Sequence, residues 1–167
     1  WESGDRLGVG VVGDSSNANV LFTQKSGTLS PDRRTVEYEG TFNSALTGTK
    51  TLYAVYPYDT AASFSGSTID TQFPGKQTYV ADGYTGIPLF GKYEGDIASI
   101  DFGQFMNPFA VIELKLSKAP GETEPIRVTE IVFQGNNGET VSGRINVAMY
   151  GARPVSYTHL TLPTNSR

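Results

Sequence analysis

Apolar side chains recur at every second position through most of this chain, the spacing that puts them on one face of a β-strand. Leu7, Val9 and Val11 share one face, with Gly8 and Gly10 on the other. Val20 and Phe22 repeat the alternation after a turn-rich stretch at 13–19, and Val36 and Tyr38 predict another short strand before Gly40. In 51–58, Leu52, Ala54, Tyr56 and Tyr58 occupy one face while Tyr53 and Val55 occupy the other. A strand that is apolar on both faces belongs in a covered position. Pro57 is expected to end or bulge its ladder, because proline has no N–H to contribute.

The stretch 63–95 is less regular, with glycine at 66, 75, 83, 86, 91 and 95 and proline at 74 and 88. Loops are expected there, around short strands near 77–80 and 89–92. Residues 97–102 predict a strand with Ile100 and Phe102 on one face. The clearest core strand carries Ala110, Ile112, Leu114 and Leu116, with Glu113 and Lys115 facing water. After a turn at 120–125 the alternation slips between Ile126/Val128 and Ile131/Phe133, which a bulge near 129–130 reconciles. Ile145, Val147 and Met149 then alternate with Arg144, Asn146 and Ala148. No ten-residue stretch has the three-and-four spacing of a helix, and 41–46 allows one turn at most. Short strands separated by turn signals predict an all-β fold, a β-sandwich whose apolar residues fill the gap between two sheets.

Composition agrees with that pattern and removes several functions. A length of 167 residues suits one domain, and Gly 19, Pro 9, Tyr 9 and Phe 9 suit strands joined by tight turns. A net charge of −4, with no large Lys/Arg cluster, leaves no electrostatic footprint for nucleic acid and none for an anionic membrane surface. No run of 18 apolar residues is present, so membrane insertion by this segment is not expected. The chain has no cysteine, which excludes disulfides, thiol catalysis and cysteine-ligated metals.

Two segments bear on where the domain begins and ends. Val155-Ser-Tyr-Thr-His-Leu-Thr-Leu-Pro-Thr164 resembles the in-frame translation of a transposon-end adapter used in sequencing libraries, with Asn165-Ser-Arg167 as its variable continuation. Residues 1–154 are accordingly read as the domain and 155–167 as a non-native tail. The natural chain is expected to continue past Pro154 and, since it starts at Trp1 and not at methionine, to extend upstream as well. The only histidine, His159, falls in the tail, so 1–154 contains neither histidine nor cysteine.

Catalytic and ligand motifs are weak against that background. Gly8-Val-Gly-Val-Val-Gly13 fits the dinucleotide pattern G-x-G-x-x-G, but the motif needs a helix directly after it, and Asp14–Asn19 is a turn-forming run. Gly13-Asp-Ser15 matches a serine-hydrolase block without the histidine base that would activate the serine. Lys25–Ser26 and Ser117–Lys118 are adjacent pairs, which a strand points apart. No spacing singles out two of the 17 acidic residues as a glycosidase pair. Asp14, Asn17 and Asn19 lack the alternating register of a calcium loop. Neither enzyme activity, a cofactor nor a metal is expected. Six tyrosines, Tyr53, Tyr56, Tyr58, Tyr79, Tyr84 and Tyr93, joined by Trp1, are the candidate binding surface, since aromatics combine apolar area with a polar tip. Packing in the core or between the sheets is the competing use of the same side chains.

The order of motifs resembles the fimbrillin family. Trp1-Glu-Ser-Gly-Asp-Arg-Leu-Gly-Val9 is similar to its opening strand, and Phe42 followed by Leu52-Tyr-Ala-Val-Tyr-Pro-Tyr58 to its "F … Y-A-x-Y-P-Y" strand. Phe102 with Asn107-Pro-Phe-Ala-Val-Ile-Glu-Leu-Lys-Leu116, then Ile131 through Ser142-Gly-Arg-Ile145, resemble the later strands. The resemblance implies an N-terminal domain, incomplete at one or both ends, of a surface lipoprotein from anaerobic gut or oral bacteria. It also implies a Greek-key, transthyretin-like sandwich that joins other fimbrial subunits by strand addition after proteolytic loss of the first strand. It implies an extracellular place at the outer membrane and a role in fimbriae and adhesion. The alternative is a surface lipoprotein that binds glycans or host proteins through exposed aromatics. No assembly residue of the family has a counterpart here, and the dibasic Arg33–Arg34 lies inside the domain, away from the family's cleavage position.

Overall fold

A computed structural model describes residues 1–76, 78–80, 83–109, 117, 118, 120, 121, 123–125, 127, 128, 142–149, 155 and 156, the backbone alone at 78–80, 83–85, 155 and 156. Its strands are β1 (Arg6–Val11), β2 (Val20–Gln24), β3 (Tyr38–Glu39), β4 (Thr49–Tyr56), β5 (Ser63–Ser65), β6 (Thr68–Phe73), β7 (Thr78–Val80), β8 (Gly83–Thr85), β9 (Leu89–Asp96), β10 (Gly143–Ala148) and β11 (Val155–Ser156). Helix among the described residues amounts to two 3-10 turns, Ser15–Asn17 and Ile97–Ser99. The fold is all-β. A five-stranded sheet runs β3-β2-β1-β4-β9, a four-stranded sheet runs β11-β10-β6-β5, and β7-β8 forms a separate two-stranded ribbon. All of these pairings are antiparallel.

β4 occupies the covered position that its two apolar faces require. It pairs with β1 on one side and with β9 on the other. Tyr53 and Val55 enter a cluster with Ile69 of β6, Phe90 of β9, and Ile145 and Val147 of β10, which fills the gap between the two larger sheets. Leu52 and Ala54 point the opposite way, into a second cluster with Leu7, Val9 and Val11. β4 ends at Tyr56, and the Tyr56–Pro57 peptide is cis.

The second cluster corrects one expectation. Leu7, Val9 and Val11 do not lie between the sheets; they face the outer side of the five-stranded sheet, under Trp1, Phe42, Leu46, Ile100, Phe102 and Phe105 from irregular segments. The glycine face of β1 is the one turned toward the second sheet. A Cβ on Gly10 would overlap the ring of Phe64 on β5 and come 2.8 Å from the Ala18 carbonyl, so only glycine lets the layers close here.

Further differences have local causes. Residues 97–102 form a 3-10 turn and an irregular run, not a strand, because Asp96 caps the turn by accepting from Ala98 N at 2.9 Å. Ile100 and Phe102 still share a destination, the outer cluster. The hairpin of β5 and β6 falls in a stretch expected to be loop. Its signal is muted because β6 buries Thr71 beside Ile69, and a polar residue on the inner face breaks the apolar alternation. β3 begins at Tyr38, two residues after the start of the strand expected at Val36 and Tyr38. The strands expected near 77–80 and 89–92 are matched by β7 and by β9, and Ile145, Val147 and Met149 are buried as their alternation requires. The strand expected at 110–116 and the bulge near 129–130 lie outside the described residues.

Candidate functional site

Two places in the fold bring together features with a chemical use. The first is β1 itself. Arg6–Val9 pair with β2 through Arg6↔Thr23, Leu7↔Phe22, Gly8↔Leu21 and Val9↔Val20, and Gly8–Val11 pair with β4 through Gly8↔Val55 and Val11↔Leu52. Bonds just beyond the strand extend it, Tyr58 N donating to Arg6 O and Val12 N to Thr51 O, both at 2.9 Å. The first strand of the chain thus sits inside its sheet, hydrogen-bonded along both edges, with its apolar side chains buried. Its exit is a tight turn: Gly13 is exposed at φ +77°, and Asp14 caps the 3-10 turn that follows.

That turn absorbs the candidate motifs nearby. Asp14 Oδ1 accepts from Ser16 N at 3.0 Å, and Oδ2 accepts from Asn17 Nδ2 at 2.8 Å. Asn17, fully buried at 0 % exposure, also donates to Ser44 Oγ at 2.7 Å, while its Oδ1 accepts from Asn43 N at 2.7 Å. Asn19 Nδ2 donates to the carbonyls of Asp59 and Ala62 at 2.9 and 3.1 Å. Asp14, Asn17 and Asn19 therefore fasten loops and present no shared ligand set. The hydrogen bond from Asn17, aided by those from Ser16 and Ser44, holds the Asp14 carboxyl below its ordinary value against a smaller opposing effect of burial. Among the described residues, no three His, Cys, Asp or Glu side chains gather as a metal site would require. Gly8–Gly13 is strand and turn with one 3-10 turn after it, which offers no helix N-terminus for a pyrophosphate.

The second place is the corner after β4. Asp59 Oδ1 accepts from Ala61 N at 2.9 Å, and Oδ2 accepts from Thr71 Oγ1 at 2.9 Å and Gln72 N at 3.3 Å. Arg144 of β10 stands 3.9 Å from the same carboxylate, donates to Ala61 O at 3.0 Å and pairs with Asp70. These bonds hold the corner rigidly against the second sheet. Outside it opens a cleft of about 440 Å³, lined by Arg6, Tyr58, Asp59, Thr60 and Gln72, with the rings of Pro57, Pro74 and Pro88 on its walls. Spacing alone could not have found this site, because its members come from β1, β6, the corner and the segment before β9.

The four tyrosines whose side chains are described, Tyr53, Tyr56, Tyr58 and Tyr93, do not share one exposed face. Tyr53 is 4 % exposed and belongs to the core between the sheets, which takes it out of any binding surface; burial raises its hydroxyl pKa. Tyr56 and Tyr93 lie half-buried against the outer cluster, on the opposite side of the sheet. The Tyr56 hydroxyl donates to Asp5 Oδ1 at 3.0 Å, and Tyr93 shares its proton between the carbonyls of Asp96 at 2.6 Å and Ser99 at 3.0 Å. Desolvation, followed by the charge of Asp5, pushes the hydroxyl pKa of Tyr56 and of neighbouring Tyr38 far above the ordinary range. Trp1 packs edge-on against Tyr38, Tyr56 and Phe105 at 5.6, 5.2 and 5.1 Å, so it too is a packing element. Among the described tyrosine side chains, Tyr58 is the one that lines the cleft. Tyr79 and Tyr84 are cross-strand partners in the β7-β8 ribbon, and their side chains lie outside the described set.

Arg33 and Arg34 sit on an exposed turn, with Arg33 at φ +58°. Their carbonyls accept from the Trp1 amino group at 2.8 Å and its indole Nε1 at 3.2 Å, which pins the start of the chain to this turn. Lys25 pairs with Glu37 at 3.0 Å, and Lys118 donates to Thr123 O at 3.4 Å, so neither is aimed at a neighbouring serine. Among the described residues no helix is long and apolar enough to cross a membrane. Compared with family models, with characterised proteins and with solved structures, the chain gives no match.

Proposed function

We propose that this domain is a structural or accessory subunit of a cell-surface fimbria that assembles by β-strand complementation and serves adhesion. The observation that carries the reading is the place of β1, inserted between β2 and β4 with Leu7, Val9 and Val11 buried on the outer face of the sheet. Departure of β1 would leave a slot with open ladder groups on both sides, beside Leu52 and Ala54 of β4 and under the apolar cover of Phe42, Ile100 and Phe102. A preformed slot lowers the ordering cost that an incoming strand must overcome, and strand addition is a recognised mode of association. The fimbrillin-like order of motifs supports the same reading. With it come an extracellular, outer-membrane location, a lipoprotein precursor and no catalytic role.

A specific protease site inserted at exposed Gly13 tests the assignment. After cleavage, β1 is held by non-covalent contacts alone, and size-exclusion chromatography should show slow conversion of monomer into a ladder of oligomers. A cleaved chain that stays monomeric, with β1 still bound or simply lost, would contradict strand exchange.

A further inference from the structure

Of the polar side chains lining the cleft beside Pro57, Asp59 and Thr71 bond to each other and Gln72 Nε2 donates to Phe73 O at 3.3 Å. The Asp59 carboxylate accepts three hydrogen bonds and has the Arg144 guanidinium at 3.9 Å, so its charge is answered from within the fold. Arg6, by contrast, is exposed on the rim, and its guanidinium has no hydrogen bond or ion pair among the described residues. The nearest acidic residue in sequence, Asp5, is taken by the Tyr56 hydroxyl at 3.0 Å and by Glu2 N at 2.7 Å. Among the described residues, the cleft therefore carries a positive charge with no acidic partner, on the side chain whose planar fork matches a carboxylate.

The remaining lining defines what accompanies that carboxylate. Tyr58, Thr60 and Gln72 present two hydroxyls and an amide, groups that both donate and accept as vicinal sugar hydroxyls do. Pro57, Pro74 and Pro88 offer flat C–H surfaces between them. A volume of about 440 Å³ lies at the small end of ligand clefts, which run from about 300 to 1,000 Å³. We propose that this cleft binds a carboxylate-bearing sugar, such as a uronic acid unit, with Arg6 gripping the carboxylate and Tyr58, Thr60 and Gln72 reading the hydroxyls. The rigid corner held by Asp59 and Arg144 keeps these groups in place before the ligand arrives. Arg6 belongs to β1, so the cleft keeps this cation while β1 is in place, which is the state of the intact chain titrated below.

Titration of the full chain with glucuronate, glucose and acetate, followed by NMR shifts or calorimetry, decides the matter. Glucuronate should saturate the cleft with at least ten-fold tighter binding than either glucose or acetate. Arg6→Ala should remove the advantage over glucose, Arg6→Lys should keep part of it, and Gln72→Ala should weaken glucuronate binding while retaining the preference for the acid. Lys25→Ala, at a distant ion pair, should change nothing. Equal binding of glucose and glucuronate would overturn the proposal, as would acetate matching glucuronate, no saturable binding of any of the three, or an Arg6→Ala chain that still prefers the acid. Melting curves of the Arg6 and Gln72 variants should match that of the parent, since both residues are exposed.

Discussion

The ring of Phe64 lies over Gly10, in the space that a Cβ on residue 10 would fill. That contact is where the second sheet comes down on β1, and it makes residue 10 a gauge of how tightly the two layers close. Gly10→Val should destabilise the domain by about 1–3 kcal/mol through overpacking, measured as a lower urea midpoint at unchanged slope. Gly10→Ala combined with Phe64→Ala should lose less than the sum of the two single changes, because Phe64 Cγ and Cδ1, which the new Cβ would strike, are gone.

Asn17 links the turn after β1 to the segment at 43 and 44. Replacing it with alanine leaves Asn43 N without its 2.7 Å acceptor and removes the donor to Ser44. Stranding buried polar groups costs about 1–3 kcal/mol. Equilibrium unfolding of Asn17→Ala should show a loss of that size, and amide exchange should quicken at Asn43 first.

The Asp14 carboxyl titrates lower when folded than its ordinary value of 3.8, chiefly because Asn17 donates to the charged form. A group with a depressed folded pKa gives its stabilisation in full above the unfolded value, and that stabilisation fades as pH falls through the folded one. Carboxyl-carbon NMR should therefore find Asp14 titrating below 3.8, and in Asn17→Ala its midpoint should move up. An unchanged midpoint in that variant would show that another donor sets the shift.

Asp59 anchors the corner that forms the cleft. Asp59→Ala strands the hydroxyl of Thr71, which is 1 % exposed, and frees Ala61 N and Gln72 N. A loss of about 1–3 kcal/mol follows. Thr71→Val in the same background should recover part of it, since the stranded hydroxyl is then absent. A thermal-melt series of the two single variants and the double variant checks this.

The alternation of apolar positions revealed the all-β class, the two-faced strand β4 and the burial of Leu7, Val9, Val11, Ile145 and Val147, because period two is fixed by strand geometry. Which layer each face meets was not legible. Nothing local distinguishes the gap between sheets from a cover of irregular segments, and so Leu7, Val9 and Val11 were expected on the wrong side. The β5-β6 hairpin was hidden because Thr71 is buried with Asp59 as its partner, a long-range pairing that reads locally as loop. Likewise, the tyrosines looked like one set in sequence, although an odd separation of three residues sends Tyr53 and Tyr56 to opposite faces of β4. The cleft was invisible for the same reason: Arg6 and Gln72 meet only after two sheets have packed.

The central claim is that β1 fills a slot that another strand can occupy. A chain lacking residues 1–12, refolded in the presence of a synthetic peptide of those residues, addresses it directly. Saturable one-to-one uptake should restore amide protection in β2 and β4, while a peptide with aspartate in place of Leu7, Val9 and Val11 should not bind. If the shortened chain closes β2 onto β4 and ignores the peptide, or takes up both peptides alike, β1 is a fixed part of the fold and assembly by strand exchange is wrong.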